Sequence, residues 1–110
     1  MSIYIFRGRY NSDALRGMMT SHEDREAILS SIFAKAGGKL LSYYVTLGED
    51  DFLFIAECPD NSIALSVAIV GVAGGSVSDL KTAAAFTSGE AVHAFKAAAD
   101  LAASFKSAGR

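Results

Sequence analysis

His22, Glu23 and Glu26 form a His-Glu-x-x-Glu string, and on a helix residues at i and i+4 share a face and can offer two ligands to a divalent metal. A catalytic zinc needs three protein ligands and no further set accompanies these. Acidic residues in a first helical turn also complement the helix dipole, so the string reads as a helix start and metal is left out. Asp51, just past Gly48-Glu49-Asp50, could act as a general base if apolar neighbours raised its pKa. The commoner duty of a short carboxylate beside a turn is to accept backbone N–H bonds, and that structural role is preferred. Tyr43 and Tyr44 alternate along a strand, so one phenol points to each face. Arg25 is a cation that could hold an anionic ligand, although a solvated carboxylate partner on its own helix is the commoner case. Cys58 precedes Pro59 with no base beside it, which suits inert packing better than nucleophilic chemistry. His93, between valine and alanine, reads as a surface or interface residue. Gly71, Gly74 and Gly75 follow a helix and precede a strand, the reverse of the order that aims N–H groups at phosphate, so they read as a C-cap.

The elements that carry these residues belong to one domain, since 110 residues cannot feed two cores. Hydrophobic residues at 51% against 20% charged, with one proline, exclude a disordered or low-complexity chain. A net charge of −2 offers no field for a phosphate backbone, which excludes nucleic acid as an expected partner. The single cysteine excludes an intramolecular disulfide framework and fits a reduced compartment. The N-terminus enters strand-like alternation at once, without a signal-peptide pattern, and the apolar run Ile63–Ala73 is too short to span a bilayer. A cytoplasmic protein without a membrane partner is expected.

Period-two alternation makes Ile3–Tyr10 the first strand, with Ile3, Ile5, Arg7 and Arg9 on one face and Tyr4, Phe6, Gly8 and Tyr10 on the other. Asn11–Ser21 reads as a polar connection with one short helical turn around Asp13 to Met18. Thr20 and Glu23 have capping-box spacing and open a helix whose stripe is Ile28, Leu29, Ile32, Phe33 and Ala36, stopped by Gly37-Gly38. Lys39–Leu47 and Asp51–Cys58 are two strands joined as an antiparallel hairpin. A second helix, capped among Asp60, Asn61 and Ser62, runs to Gly74-Gly75, and Ser76–Phe86 is the fourth strand. Thr87 and Glu90 repeat the capping-box spacing ahead of a terminal helix with Val92, Phe95, Ala99, Ala102 and Phe105 on one face. The order predicts an α+β, ferredoxin-like βαββαβ domain over residues 1–87, followed by a helix over 88–110 that packs on the same domain or on a partner subunit.

Right-handed crossovers place both connecting helices on one side of the sheet and leave the other side bare. Yet both faces are apolar: Tyr4, Phe6, Phe52 and Phe54 on one, Ile3, Ile5, Leu53 and Ile55 on the other. The aliphatic set is assigned to the helices and the aromatic set to the open side. A bare face on the order of 350 Å² is large enough to need a cover, which predicts a homo-oligomer.

Gly37-Gly38-Lys39, Tyr43 through Asp51, Glu57-Cys58-Pro59-Asp60 and Ala85-Phe86-Thr87 together resemble the GYD-domain family over about Ile3 to Glu90. The resemblance implies a ferredoxin-like fold related in shape to dimeric α/β-barrel proteins. Gly48 and Asp51 match the signature that names the family, but Asp50 stands where its tyrosine would be, which weakens any contact that tyrosine makes at a seam or pocket. The family brings no settled activity. Proteins of the same barrel shape include cofactor-independent monooxygenases and isomerases, so Asp51, Tyr44 or His22 would supply proton transfer under an enzyme reading. The favoured reading is a homo-oligomeric module without a cofactor. Tyr4, Phe6, Arg25, Tyr44, Asp51, Phe52 and Phe54 would border a small, largely apolar or aromatic ligand. A subunit serving assembly alone is the third reading.

Overall fold

The computed structural model describes residues 1–109. Four strands, β1 (Ser2–Tyr10), β2 (Lys39–Val45), β3 (Phe52–Cys58) and β4 (Val77–Ala85), form one sheet in the order β2-β3-β1-β4, each neighbouring pair antiparallel. This is the ferredoxin-like α+β arrangement. Helices α1 (Ser12–Ser21), α2 (Arg25–Lys35) and α3 (Asn61–Ala73) precede β2 and β4, and α4 (Ser88–Ala102) follows the last strand.

The segment after β1 departs from its expected form. Asn11 caps α1 by accepting the Ala14 N–H at 2.9 Å, and ten residues are helical where a polar connection with one turn was predicted. Thr20 is not a cap: its hydroxyl donates back to the Arg16 carbonyl at 3.0 Å, inside α1. Helix α1 stops at His22, whose φ of 52° is left-handed and whose N–H donates to the Met18 carbonyl. The second helix begins at Arg25, capped by Asp24, so the His-Glu-x-x-Glu string straddles a helix break and its i, i+4 geometry never forms. Of the three cap candidates Asp60, Asn61 and Ser62, Asp60 fills the role, and the expected Thr87–Glu90 capping box is present.

Burial reverses the expected assignment of the two faces. Tyr4, Phe6, Tyr10, Phe52 and Phe54 lie under α2 and α3 with Phe33, while Ile3, Ile5, Leu53 and Ile55 line the open face, half-buried. The reason is electrostatic. Arg7 and Arg9 share a face with Ile3 and Ile5, and Glu57 shares one with Leu53 and Ile55, so turning that face inward would strand charges in the core. The aromatic face carries none.

Two glycines are fixed by close approach. Gly38, entering β2, would drive a Cβ to 2.1 Å from the Glu57 carbonyl oxygen, and Gly8 lies under the Phe52 ring, where a Cβ would sit 3.0 Å from Cζ. At the sheet's far edge β4 carries a bulge opposite β1 between Arg7 and Arg9, with Asp79 in the left-handed region at φ 52°.

Helix α4 buries none of its side chains. It gives the chain extents of 59 × 33 × 22 Å and a radius of gyration of 17.8 Å, against about 13 Å for a compact chain of this size.

Candidate functional site

A cavity of about 270 Å³ lies between the aromatic face of the sheet and the two covering helices. Its floor is built by strand register: Phe6 sits opposite Phe54 across the β1–β3 pair, their rings stacked at 4.8 Å and 12°, and Phe52 continues the row 5.7 Å from Phe54. Leu29 and Ile32 of α2 form one wall, and Val67, Ala68 and Gly71 of α3 the other. Ala68, Gly71 and the cap residue Gly74 are the small residues that α3 contributes to the lining, and they leave this space between the helices and the rings open.

Two polar groups stand at the α1 side. Arg25, in the first turn of α2, lines the cavity and also a polar hollow beneath α1 that it shares with Tyr10, Asn11, Glu23 and Ser76. Its guanidinium meets the Glu23 carboxylate at 3.3 Å, with both side chains partly open to solvent. Tyr10, at the end of β1, lines both spaces, and its hydroxyl lies 2.6 Å from that of Tyr43. Burial, and then the hydrogen bond to Tyr10, push the Tyr43 phenol well above the usual tyrosine range, despite the opposing pull of the Arg25 charge. Tyr43 therefore stays neutral and offers a hydroxyl rather than a base.

Of the residues named from sequence, Phe6, Arg25, Phe52 and Phe54 converge on this cavity. Tyr4 lies further along β1, its hydroxyl donating to Asn61 Oδ1 at the start of α3, and it lines a separate shallow hollow with Ala64 and Leu65. Tyr44 pairs with Leu53 on the open face and is exposed. Asp51 is bound into the backbone: Oδ2 accepts the Tyr10 N–H at 2.9 Å, and its own N–H donates to the Gly8 carbonyl at 2.8 Å. Tyr10, Leu29, Ile32 and Val67 were not named as site residues, although Tyr10 continues the Tyr4-Phe6-Gly8 alternation and was legible there.

The remaining reactive types lie elsewhere. His22 is exposed at the α1 cap, and Cys58 is fully buried, where desolvation and then the nearby Asp60 charge push its thiol up. No group of three His, Cys, Asp or Glu side chains among the described residues is placed to hold a metal. Among the described residues no helix is long and apolar enough to cross a membrane. Asp50 has a task of its own: its carboxylate takes the Lys81 Nζ at 3.0 Å and faces the Arg7 Nε at 4.0 Å, joining the β2–β3 turn to β1 and β4 at one end of the open face.

A sequence model of the GYD domain matches residues 4–95. The chain belongs to the GYD-domain family. The match extends this GYD domain into α4 as far as Phe95, past the limit read from the motifs alone. The GYD domain is also similar in fold to the crystal structure of MtbAldR, with a TM-score of 0.53 and 15% identity over 78% of this chain and 52% of that one. It therefore spans about half the length of that protein. Comparison with curated proteins gives no match.

Proposed function

We propose that this GYD domain is a homo-oligomeric module that binds a small ligand with an apolar, preferably aromatic, body and one anionic or hydrogen-bond-accepting head. The observation that carries the reading is the cavity of about 270 Å³, floored by Phe6, Phe52 and Phe54 with Arg25 at its rim. An apolar body enters above the ring layer between Leu29 and Ile32 of α2 and Val67 and Gly71 of α3, and a carboxylate-sized head exchanges the solvent-weakened Glu23 partner for a bidentate contact to Arg25. Oligomerisation rests on the second apolar surface, the half-buried Ile3, Ile5, Leu53 and Ile55 of the open face. A two-fold contact would cover that face symmetrically.

The monooxygenase or isomerase reading draws on Asp51, Tyr44 and His22. These lie in three separate places: a backbone-bound position, the open face and a helix cap. No acid–base pair is thereby assembled, and geometry precedes pKa in naming one.

The test uses naphthalene-2-carboxylate as probe, followed by methyl NMR on the full chain. Binding should shift the methyls of Leu29, Ile32 and Val67. Arg25→Gln should weaken the carboxylate about tenfold while leaving neutral naphthalene unchanged. Shifts confined to methyls outside the cavity, or none at millimolar probe, would overturn the reading.

A further inference from the structure

Helix α4 is amphipathic. Val92, Phe95, Ala99 and Ala102 fall on one side, and Glu90, His93, Lys96 and Asp100 on the other. Its apolar side is left open by its own chain: Val92 is 45% exposed and Phe95 70%, and Phe105, just past the helix, is 74% exposed. A helix of fifteen residues is marginal in water without a packing partner.

The same chain holds an unfilled apolar groove. Helix α3 is hydrophobic all round, which suits a helix covered on every side. It leaves Leu65, Ile69 and Val72 exposed at i, i+4 and i+7. Beside this ridge, Leu80, Thr82 and Ala84 of the edge strand β4 form a shallow floor, making two adjoining hollows that run along α3.

We propose that the α4 arm of one copy packs into the α3–β4 groove of a second copy, reciprocally, so that the two chains exchange their C-terminal helices. Three observations commit the groove to this occupant. The arm and the groove are both apolar, and both lie uncovered on the same chain, the condition for a closed two-fold contact. Only Phe86 and Thr87 separate β4 from α4. Thr87 and Glu90 close the capping box, and the helix that follows buries none of its side chains on its own domain, extending the chain to 59 Å. The exposed rings and aliphatic side chains of arm and groove bury on the order of 1,500 Å² over two reciprocal contacts, within the range of stable protein interfaces. The polar face of α4, with its mixed signs, then remains in water.

This inference rests on the homo-oligomer reading and is tested apart from it. Phe95→Cys and Ile69→Cys are made in separate chains, which are refolded together and oxidised; Cys58, buried in each, serves as the internal control. A mixed disulfide-linked dimer of the two variants is expected, with truncation after Thr87 weakening association at least tenfold by light scattering. If the Phe95→Cys/Ile69→Cys double variant instead closes a disulfide within one chain, the arm folds back and the exchange is overturned. Light scattering showing a dimer without either cross-link overturns the exchange while leaving the homo-oligomer reading intact. A monomer at micromolar concentration overturns both.

Discussion

Replacing Phe33 by alanine tests which face of the sheet is the interior. The Phe33 ring has no solvent exposure and sits 5.8 Å from Phe6 and 5.9 Å from Phe54, in tilted and edge-on contacts that tie α2 to the aromatic face. Removing such a ring costs the transfer free energy of its carbons plus a cavity term, about 3–5 kcal/mol in well-packed cores. The Phe33 ring is fully buried and is held by two other rings at once, so the upper half of that range applies. For a domain of this size the loss lowers Tm by roughly 15–30 °C. Because a chain of ordinary stability can lose its fold at that level, Phe33→Leu serves as the milder partner, at about 1–1.5 kcal/mol. The matched control is Ile55→Ala on the open face. In dilute protein it should cost only about 1 kcal/mol, since its side chain is already partly exposed to solvent. Urea unfolding followed by far-UV circular dichroism reads all three as midpoint shifts at constant slope. An Ile55→Ala loss larger than that of Phe33→Ala would refute the placement of the aromatic layer under the helices.

Gly38→Ala should destabilise the hairpin by about 2–3 kcal/mol, because its Cβ would meet the Glu57 carbonyl oxygen at 2.1 Å and only the β2–β3 pairing can yield; chemical denaturation measures it, and a loss below about 0.5 kcal/mol contradicts the close approach. The Tyr43 phenol, raised by burial and its bond to Tyr10, stays neutral in the folded protein at a pH where an unfolded tyrosine ionises. It thus stabilises the fold fully below about pH 10 and loses that contribution as pH rises further. Absorbance titration at alkaline pH should show one tyrosine ionising only with unfolding, and Tyr43→Phe should remove that late step. Asp51→Asn should keep much of the bond to the Tyr10 N–H, whereas Asp51→Ala should cost about 1.5–3 kcal/mol with the exchange protection of the Tyr10 amide lost, read by hydrogen exchange.

Most of the sheet was readable because strands carry a period of two that survives any tertiary context. The cap at Asp60 and the capping box of Thr87 with Glu90 were readable for a similar reason, since each is closed within four residues. Helix α1 was read only as one short turn, because Gly17 interrupts it and none of its residues is buried. The site was partly visible. Phe6, Phe52 and Phe54 were named from alternation and Arg25 from its match to a basic position of the family's first helix, whereas alternation put one of Tyr43 and Tyr44 on each face without saying which, and Tyr44, the one named, lies on the open face opposite Leu53. The cavity itself had no local signal, because it exists only where the small residues of α3 meet rings from β1 and β3.

By itself the amino-acid sequence determined the order of the elements after α1, the two apolar faces of the sheet and the turn chemistry at Gly37 and Asp51, since each depends on neighbours within a few residues or on simple alternation. Which face lies inside also had its signal in the sequence, in Arg7 and Arg9 beside Ile3 and Ile5. It was decided by the desolvation of charge across the whole layer, a quantity that no single strand carries. Only the tertiary structure decided that Arg25 and Tyr10 meet at the rim of one cavity and that α4 leaves its own domain with its apolar side bare. Those outcomes depend on the relative placement of elements far apart in the chain, where packing volume and backbone direction, rather than residue type, select among arrangements of equal local merit.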